Sequence, residues 1–282
     1  MKLSKEDAVI KKLLEFLPEK NEWCVEFGAW DGIYLSNTRN LIESQGYSAV
    51  LIEASKDKFK DLQKNYSGNP KVITLNKFVG FEKNDNLDQI LKTTPIPLDF
   101  DFLTIDIDGN DYHVWKATRK YQPKVICIEF NPTIPTEVKF TQRADNSVTQ
   151  GSSLLSLVEL GKEKGYELVS VLDVNAFFVK KEYFPLFKIE DNRPEVLRTN
   201  LDFVTYLFSG YDGKIFLRGL KKLPWHGLEL NEGKIQSLPK LLCKYPCNYN
   251  LAEKLLAASF LLLVSPRLFF SKMFSRLKAA KS

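Results

Sequence analysis

Two kinds of hydrophobic pattern alternate along the first 180 residues. Apolar positions at helical spacing (Ile10, Leu13, Leu14, Leu17) predict a helix over 5–18, ended by Pro18. A short continuous run, Trp23–Phe27, predicts a strand, and Gly28–Gly32 a turn. A helix near Ser36–Ser44 follows, closed by Gly46 in the usual C-terminal position. Then come a strand at Tyr47–Ile52, a charged helix over 56–66, a strand at Val72–Leu75, a helix at Leu87–Leu91 and a strand at Phe100–Ile107. Asp111–Lys120 is predicted helical and Val125–Phe130 a strand. An amphipathic helix over 153–164, with Ser152 as N-cap and Gly165 at its close, precedes strands at Tyr166–Val171 and Ala176–Lys180. The turn between those two strands is too short for a helical crossover, so they pair antiparallel.

Strand–helix alternation over five strands implies a parallel sheet with helices on both faces, made mixed by the closing hairpin. The expected class is α/β, Rossmann-like, with this domain over residues 1–184. Residues 185–250 are less periodic and read as an add-on packed on the sheet domain, and 251–282 as a tail.

Composition changes this picture little. Hydrophobic residues make up 44% and charged residues 27%, which excludes a wholly disordered chain. Charge is more telling. The net +5 resolves into −2 over residues 1–239 and +7 over 240–282, where eight basic residues face one acidic. A nucleic-acid partner is not expected, because the basic excess lies in the tail and not in the main domain. The start of the chain lacks the apolar core of a signal peptide, and Cys24 and Cys127 sit in apolar runs, so a reduced, cytoplasmic protein is expected. Cys243 and Cys247 are at most half a zinc site.

Ligands of open α/β sheets bind at the carboxyl ends of the strands, beside the switch point. Glu26-x-Gly28-x-x-x-Gly32 follows the first strand there, and Glu53 ends the second. Gly28 would let the backbone turn tightly, Gly32 would allow close approach, and a carboxylate at Glu53 can accept both hydroxyls of a ribose. A dinucleotide pyrophosphate needs a second bare glycine, and that position is Trp30. Glu26 would repel phosphate but suit an ammonium group. Both features favour S-adenosylmethionine.

VEFGAWDG, LIEAS, LTIDIDGNDY and VICIEFNPTIP together resemble a class I S-adenosylmethionine-dependent methyltransferase of the FkbM-like type, over about residues 22–180. The resemblance implies the sheet order 3-2-1-4-5-7-6. It also implies that Glu26 lies near the methionine moiety, that Glu53 binds ribose, and that Phe78 and Val79 flank the adenine. Gly28, Ala29, Gly32 and Asp106 complete the expected cofactor set. Asp108 stands where the family commonly has Glu, and the chain extends beyond residue 180.

Methyl transfer to a hydroxyl needs alignment of the acceptor and removal of its proton. Asp106, Asp108 and Asp111 cluster after the fourth strand, and Glu129 and Asn131 share a face at the end of the fifth. The expected catalytic residues are Asp106, Asp108 and His113. Asp106, Glu129 and Asn131 form an all-oxygen set suited to Mg²⁺. Turn-forming and helix-capping roles compete for the same acidic residues. Pro132–Pro135 should form a stiff loop over the pocket. His226, Arg143, Asn146 and Gln150 are further polar candidates on the acceptor side.

In the tail, Leu255–Val264 is apolar apart from Ser259 and too short to span a bilayer. After Ser265-Pro266, Phe270, Met273, Phe274 and Leu277 form a helical stripe among Lys272, Arg276, Lys278 and Lys281. That pattern reads as a peripheral membrane anchor, or as a helix docked on protein. The function expected from all this is O-methylation of a sugar hydroxyl in a glycan or glycolipid, at the inner face of a membrane. The alternatives are a non-catalytic binding protein on the same fold and a dinucleotide-dependent oxidoreductase.

Overall fold

The structure, a computed structural model, describes residues 4–279. Its contacts divide the chain into two compact units, residues 1–201 and 202–282. Residues 185–201, grouped with the add-on in the sequence reading, therefore belong to the first unit. Phe187 packs on Phe16, and Leu197 packs against the sheet core.

The first unit begins with α1 (Lys5–Glu15), capped by a reciprocal pair in which Ser4 Oγ accepts from the Asp7 N–H and the Asp7 carboxylate accepts from the Ser4 N–H. Next come β1 (Trp23–Phe27), α2 (Arg39–Gln45), β2 (Ser48–Glu53), α3 (Lys56–Tyr66) and β3 (Val72–Asn76). They are followed by α4 (Leu87–Leu91), β4 (Phe102–Ile105), α5 (Asp111–Ala117) and β5 (Val125–Glu129). The unit closes with α6 (Leu154–Glu163), β6 (Tyr166–Leu172), β7 (Asn175–Lys180) and the short α7 (Pro194–Leu197). The strands form one sheet in the order β3-β2-β1-β4-β5-β7-β6. β1 to β5 are parallel, and β7 runs antiparallel to both β5 and β6. This is the seven-stranded arrangement of the class I methyltransferase fold, as expected.

Strand periodicity explains the two-sided burial. Val25, Phe27, Leu103, Ile105, Ile126 and Ile128 face a core completed by α4, α5 and α6. Cys24, Ala49, Leu51, Phe102 and Cys127 face the opposite core with α1, α2 and α3. Both cysteines are thus buried free thiols.

Several boundaries differ from expectation by one to three residues, among them the ends of α1 at Glu15 and α5 at Ala117, and for two the hydrogen bonds give the reason. The N-cap of α6 is Ser153, whose Oγ accepts from the Ser156 N–H, while Ser152 Oγ accepts from the Gln142 N–H. β4 stops at Ile105 because the Asp111 carboxylate accepts from the N–H groups of Ile107 and Gly109, drawing the chain out of the ladder.

A buried ion pair fixes the amino ends of the strands. Lys124 Nζ lies 2.8 Å from Asp101 Oδ1 and also donates to the Glu19 carbonyl, while Asp101 accepts from the N–H groups of Asn21 and Glu22.

The second unit contains the hairpin β8 (Thr205–Ser209) and β9 (Ile215–Gly219), the small hairpin β10 (Lys222–Leu223) and β11 (Leu228–Glu229), and helices α8 (Leu251–Val264) and α9 (Pro266–Ala279). Val204, Leu217 and Leu242 are its buried apolar residues among those described. Among the described residues no helix is long and apolar enough to cross a membrane.

Candidate functional site

β1 lies between β2 and β4, so the chain reverses direction across the sheet at this point and the loops after β1 and β4 diverge. Beside their carboxyl ends is a cavity of about 200 Å³. Gly28, Glu53, Phe78, Val79 and Asp108 line it, together with Asn110, Asn146 and Thr149.

Four of the expected cofactor residues, Gly28, Glu53, Phe78 and Val79, line that cavity. Gly28 has φ +72°, and a Cβ there would sit 2.4 Å from the Asp106 carbonyl oxygen. Only a bare backbone can thread between β4 and the cavity at this point. Glu53 is nearly buried, and its carboxylate accepts from the Trp30 N–H at 2.9 Å and the Ser55 N–H at 2.6 Å. One oxygen therefore holds the turn after β1 and the other the start of α3, and each oxygen keeps a second acceptor site. Val79 is buried and Phe78 is half exposed at the rim.

Three expected positions do other work. Gly32 is absent from the cavity wall, and a Cβ there would meet the Tyr66 ring at 2.5 Å and Leu62 at 2.7 Å, so its bareness serves packing on α3. Ala29 is buried among the residues of the α1–α3 core. The Glu26 carboxylate accepts from Ser36 Oγ (2.6 Å), Thr38 Oγ1 (2.5 Å) and the Asn37 N–H (3.0 Å). Burial raises its pKa and these bonds pull it back. Glu26 anchors the loop that leads into α2 and does not line the cavity.

Five N–H groups of the turn after β1 are already bonded within the protein. The N–H groups of Ala29, Trp30, Gly32, Ile33 and Tyr34 are donated to Ile52 O, Glu53 Oε2, Ala29 O and, for the last two, Asp31 Oδ1. Trp30 itself has φ +50°, a left-handed conformation in a residue other than glycine. A phosphate-binding turn presents such N–H groups unpaired, and here they are spent internally.

On the acceptor side, carboxylate oxygens of Asp106, Asp108 and Glu129 lie within 4.8 Å of one another. Asp106 and Asp108 are exposed and Glu129 is partly covered. Asp106 belongs to this triad and is not among the residues lining the cavity. Burial, and then the charge of Asp106, pushes the Glu129 carboxyl up to about 9. Asp106 reaches solvent, yet the protein packed around its carboxylate desolvates it enough to raise its pKa, with the charge of Asp108 adding to the rise. The fully buried Asp111 is pushed up to about 7 against its two N–H bonds, and it acts as the clamp behind the triad.

Asn131, expected beside Asp106 and Glu129, is engaged in a turn: its Oδ1 accepts from Thr133 N–H and Oγ1, and its Nδ2 donates to the Gln150 carbonyl. His113 is also placed differently from expectation. Its Nε2 meets the Gln142 carbonyl at 2.8 Å, and its ring packs on Phe81 and Tyr112. His226 lies in the second unit, in the loop between β10 and β11.

Two residues not foreseen in the sequence organise this region. Gln142 is buried, donates to Asn110 Oδ1 and Val148 O, and accepts from the N–H groups of Gln150 and Gly151. It thereby shapes the loop that brings Asn146 and Thr149 to the cavity, while Arg143 pairs with Asp145 at the surface. Arg198 is buried over the Phe130 ring and donates to the carbonyls of Pro132 and Ile134, fixing the proline loop. A buried glutamine or arginine has no periodic signature that would single it out beforehand.

No family model and no curated protein matches this chain. Solved structures resemble it in fold. The N-terminal domain of EvdMO1 with SAH bound gives a TM-score of 0.40 at 12% identity, covering 63% of this chain and 80% of that one. Magnesium protoporphyrin IX methyltransferase (ChlM) from Synechocystis PCC 6803 with bound SAH gives 0.40 at 11%, covering 62% and 81%. The CMeT domain of the citrinin polyketide synthase gives 0.41 at 12%, covering 62% and 50%. Likeness of this degree says nothing about reaction or substrate.

Proposed function

We propose that the protein is an S-adenosylmethionine-dependent methyltransferase of the FkbM-like type, acting on a hydroxyl of a sugar in a glycan or glycolipid. The observation that carries the cofactor reading is the turn after β1, in which five N–H groups are already bonded within the protein. A cavity walled by Gly28 and Glu53, beside a turn whose Trp30, Ile33 and Tyr34 N–H groups are already held by carboxylates, suits an adenosine ligand without phosphates. In this reading the free acceptor sites of Glu53 take the ribose hydroxyls, Phe78 and Val79 cover the base, and Gly28 gives the backbone approach. The ligand, when bound, supplies a sulfonium methyl group open to in-line attack. The acceptor type rests on the sequence resemblance. The free thiols Cys24 and Cys127 fit a reducing compartment, here the cytoplasm.

Asp106 and Asp108 are assigned to the acceptor oxygen. Either carboxylate can take the hydroxyl proton as the oxygen becomes nucleophilic, while Glu129 holds its own proton and limits charge repulsion. A second reading is favoured by the compactness of the triad. With Glu129 deprotonated, the three carboxylates offer oxygen ligands to Mg²⁺, which would lower the acceptor's pKa.

The test is transfer of labelled methyl from S-adenosylmethionine to a panel of glycans, glycolipids, phenols and amines. Methylation of hydroxyl acceptors, lost in Asp106→Asn or Asp108→Asn with cofactor affinity retained, supports the proposal. Transfer only to amines or carbon acceptors would remove the O-methylation part. Full activity in excess chelator would remove the Mg²⁺ version and leave the general base.

A further inference from the structure

We infer that α8 and α9 form a two-helix anchor lying in the surface of an anionic lipid bilayer. This inference is independent of the reaction proposed for the first unit. α8 starts firmly: Asn250 and Glu253 make a reciprocal cap, and Tyr249 donates its hydroxyl to the Leu242 carbonyl. Yet this helix, apolar after its first turn, buries none of its residues. Leu251, Leu255, Leu256, Leu262 and Leu263 are 75%, 63%, 41%, 40% and 81% exposed. At about 100° per residue these five leucines fall within a sector of roughly 140°, a face that contains no charge and has Ser259 as its one polar residue. On α9, Phe270, Met273 and Phe274 are also exposed and share one side. Leu277 and the side chains of Lys272, Arg276 and Lys278 lie outside the described side chains, and Lys281 outside the described residues.

Charge decides what covers this face. Residues 240–282 carry eight basic residues and one acidic residue, Glu253, and Glu253 is already paired with Lys244. A second copy would bring two such segments together and set like charges against each other. A bilayer rich in acidic headgroups offers apolar depth and opposite charge at once. Length decides the depth. Each helix has 14 residues, about 21 Å at 1.5 Å per residue, short of the roughly 30 Å hydrocarbon core. Ser265 and Pro266 break the path between them. The pair therefore lies in the interface and does not cross it.

The test is flotation of the full chain with vesicles of phosphatidylcholine alone, and with about 30% phosphatidylserine added. Binding to the anionic vesicles at low salt, release at high salt and weak binding to neutral vesicles are expected. Leu255→Ser, Leu262→Ser and Leu263→Ser together should cut partitioning at least about tenfold without moving the thermal transition, because none of the three is buried. If the triple variant folds poorly, Leu263→Ser alone should still weaken binding. Arg267→Glu should reduce anionic binding by more than about fivefold, one cation being removed and an anion added. No association at low salt, equal binding to neutral vesicles, or unchanged binding by the triple variant would each overturn the inference. Self-association abolished by the same leucine substitutions, with no vesicle binding, would assign the face to a second copy.

Discussion

Gly32 and Glu129 show how one side chain, or its absence, sets local behaviour. Gly32 sits at φ +72° against Tyr66 and Leu62, so Gly32→Ala adds both backbone strain and overlap. It should destabilise the protein by about 2–4 kcal/mol, readable in urea unfolding, and alter cofactor affinity little in the folded fraction. Glu129 behaves through its proton. Its folded pKa of about 9 lies above the usual glutamate range, so the folded state keeps a proton that the unfolded chain has released. That contribution is full below the unfolded pKa and is lost as pH rises towards about 9. Calorimetric melting should therefore show stability falling between about pH 5 and 9, with Asp111 adding to the fall as it titrates near 7. Glu129→Gln should flatten the slope, and an unchanged slope would remove Glu129 as its source. Proximity to the glycine turn correctly suggests that Gly32 must be bare. It cannot show that the reason is Tyr66 on the next helix, since that contact exists only after folding.

At the scale of elements, the loop over 141–151 depends on Gln142 as the turn after β1 depends on Glu53. Gln142→Ala would leave the N–H groups of Gln150 and Gly151 without their acceptor. The expected loss is about 1–3 kcal/mol, concentrated in this loop. Limited proteolysis should show earlier cleavage between residues 142 and 151, and cofactor affinity should drop as Asn146 and Thr149 leave the cavity. The strands and α4 are legible because their hydrophobic runs are short and bounded by turn residues. β4 proved shorter than its apolar run because Asp111, six residues beyond its end, competes for the backbone of Ile107 and Gly109. Carboxylates that bind backbone and carboxylates that await a ligand look alike in a sequence. Glu26 and Glu53 separate only when their donors are seen: Glu26 is filled by Ser36, Asn37 and Thr38, and Glu53 keeps room beside the cavity.

For the molecule as a whole, the sheet has a working edge and a locked edge. The locked edge is held by Lys124 and Asp101, whose side chains are 5% and 0% exposed. Lys124→Met leaves Asp101 buried with two N–H donors but no cation, and should cost about 3–5 kcal/mol in chemical unfolding. The working edge holds the cavity, for which a cofactor with a ribose and no phosphate is proposed. Isothermal titration of the purified full chain with S-adenosylmethionine, its demethylated product and NAD tests that claim most directly. Saturable binding of the first two is expected, with no heat from NAD. Glu53→Ala should weaken the binding by about 1–3 kcal/mol while the fold is retained. Saturable binding of NAD without binding of either sulfur ligand would contradict the account.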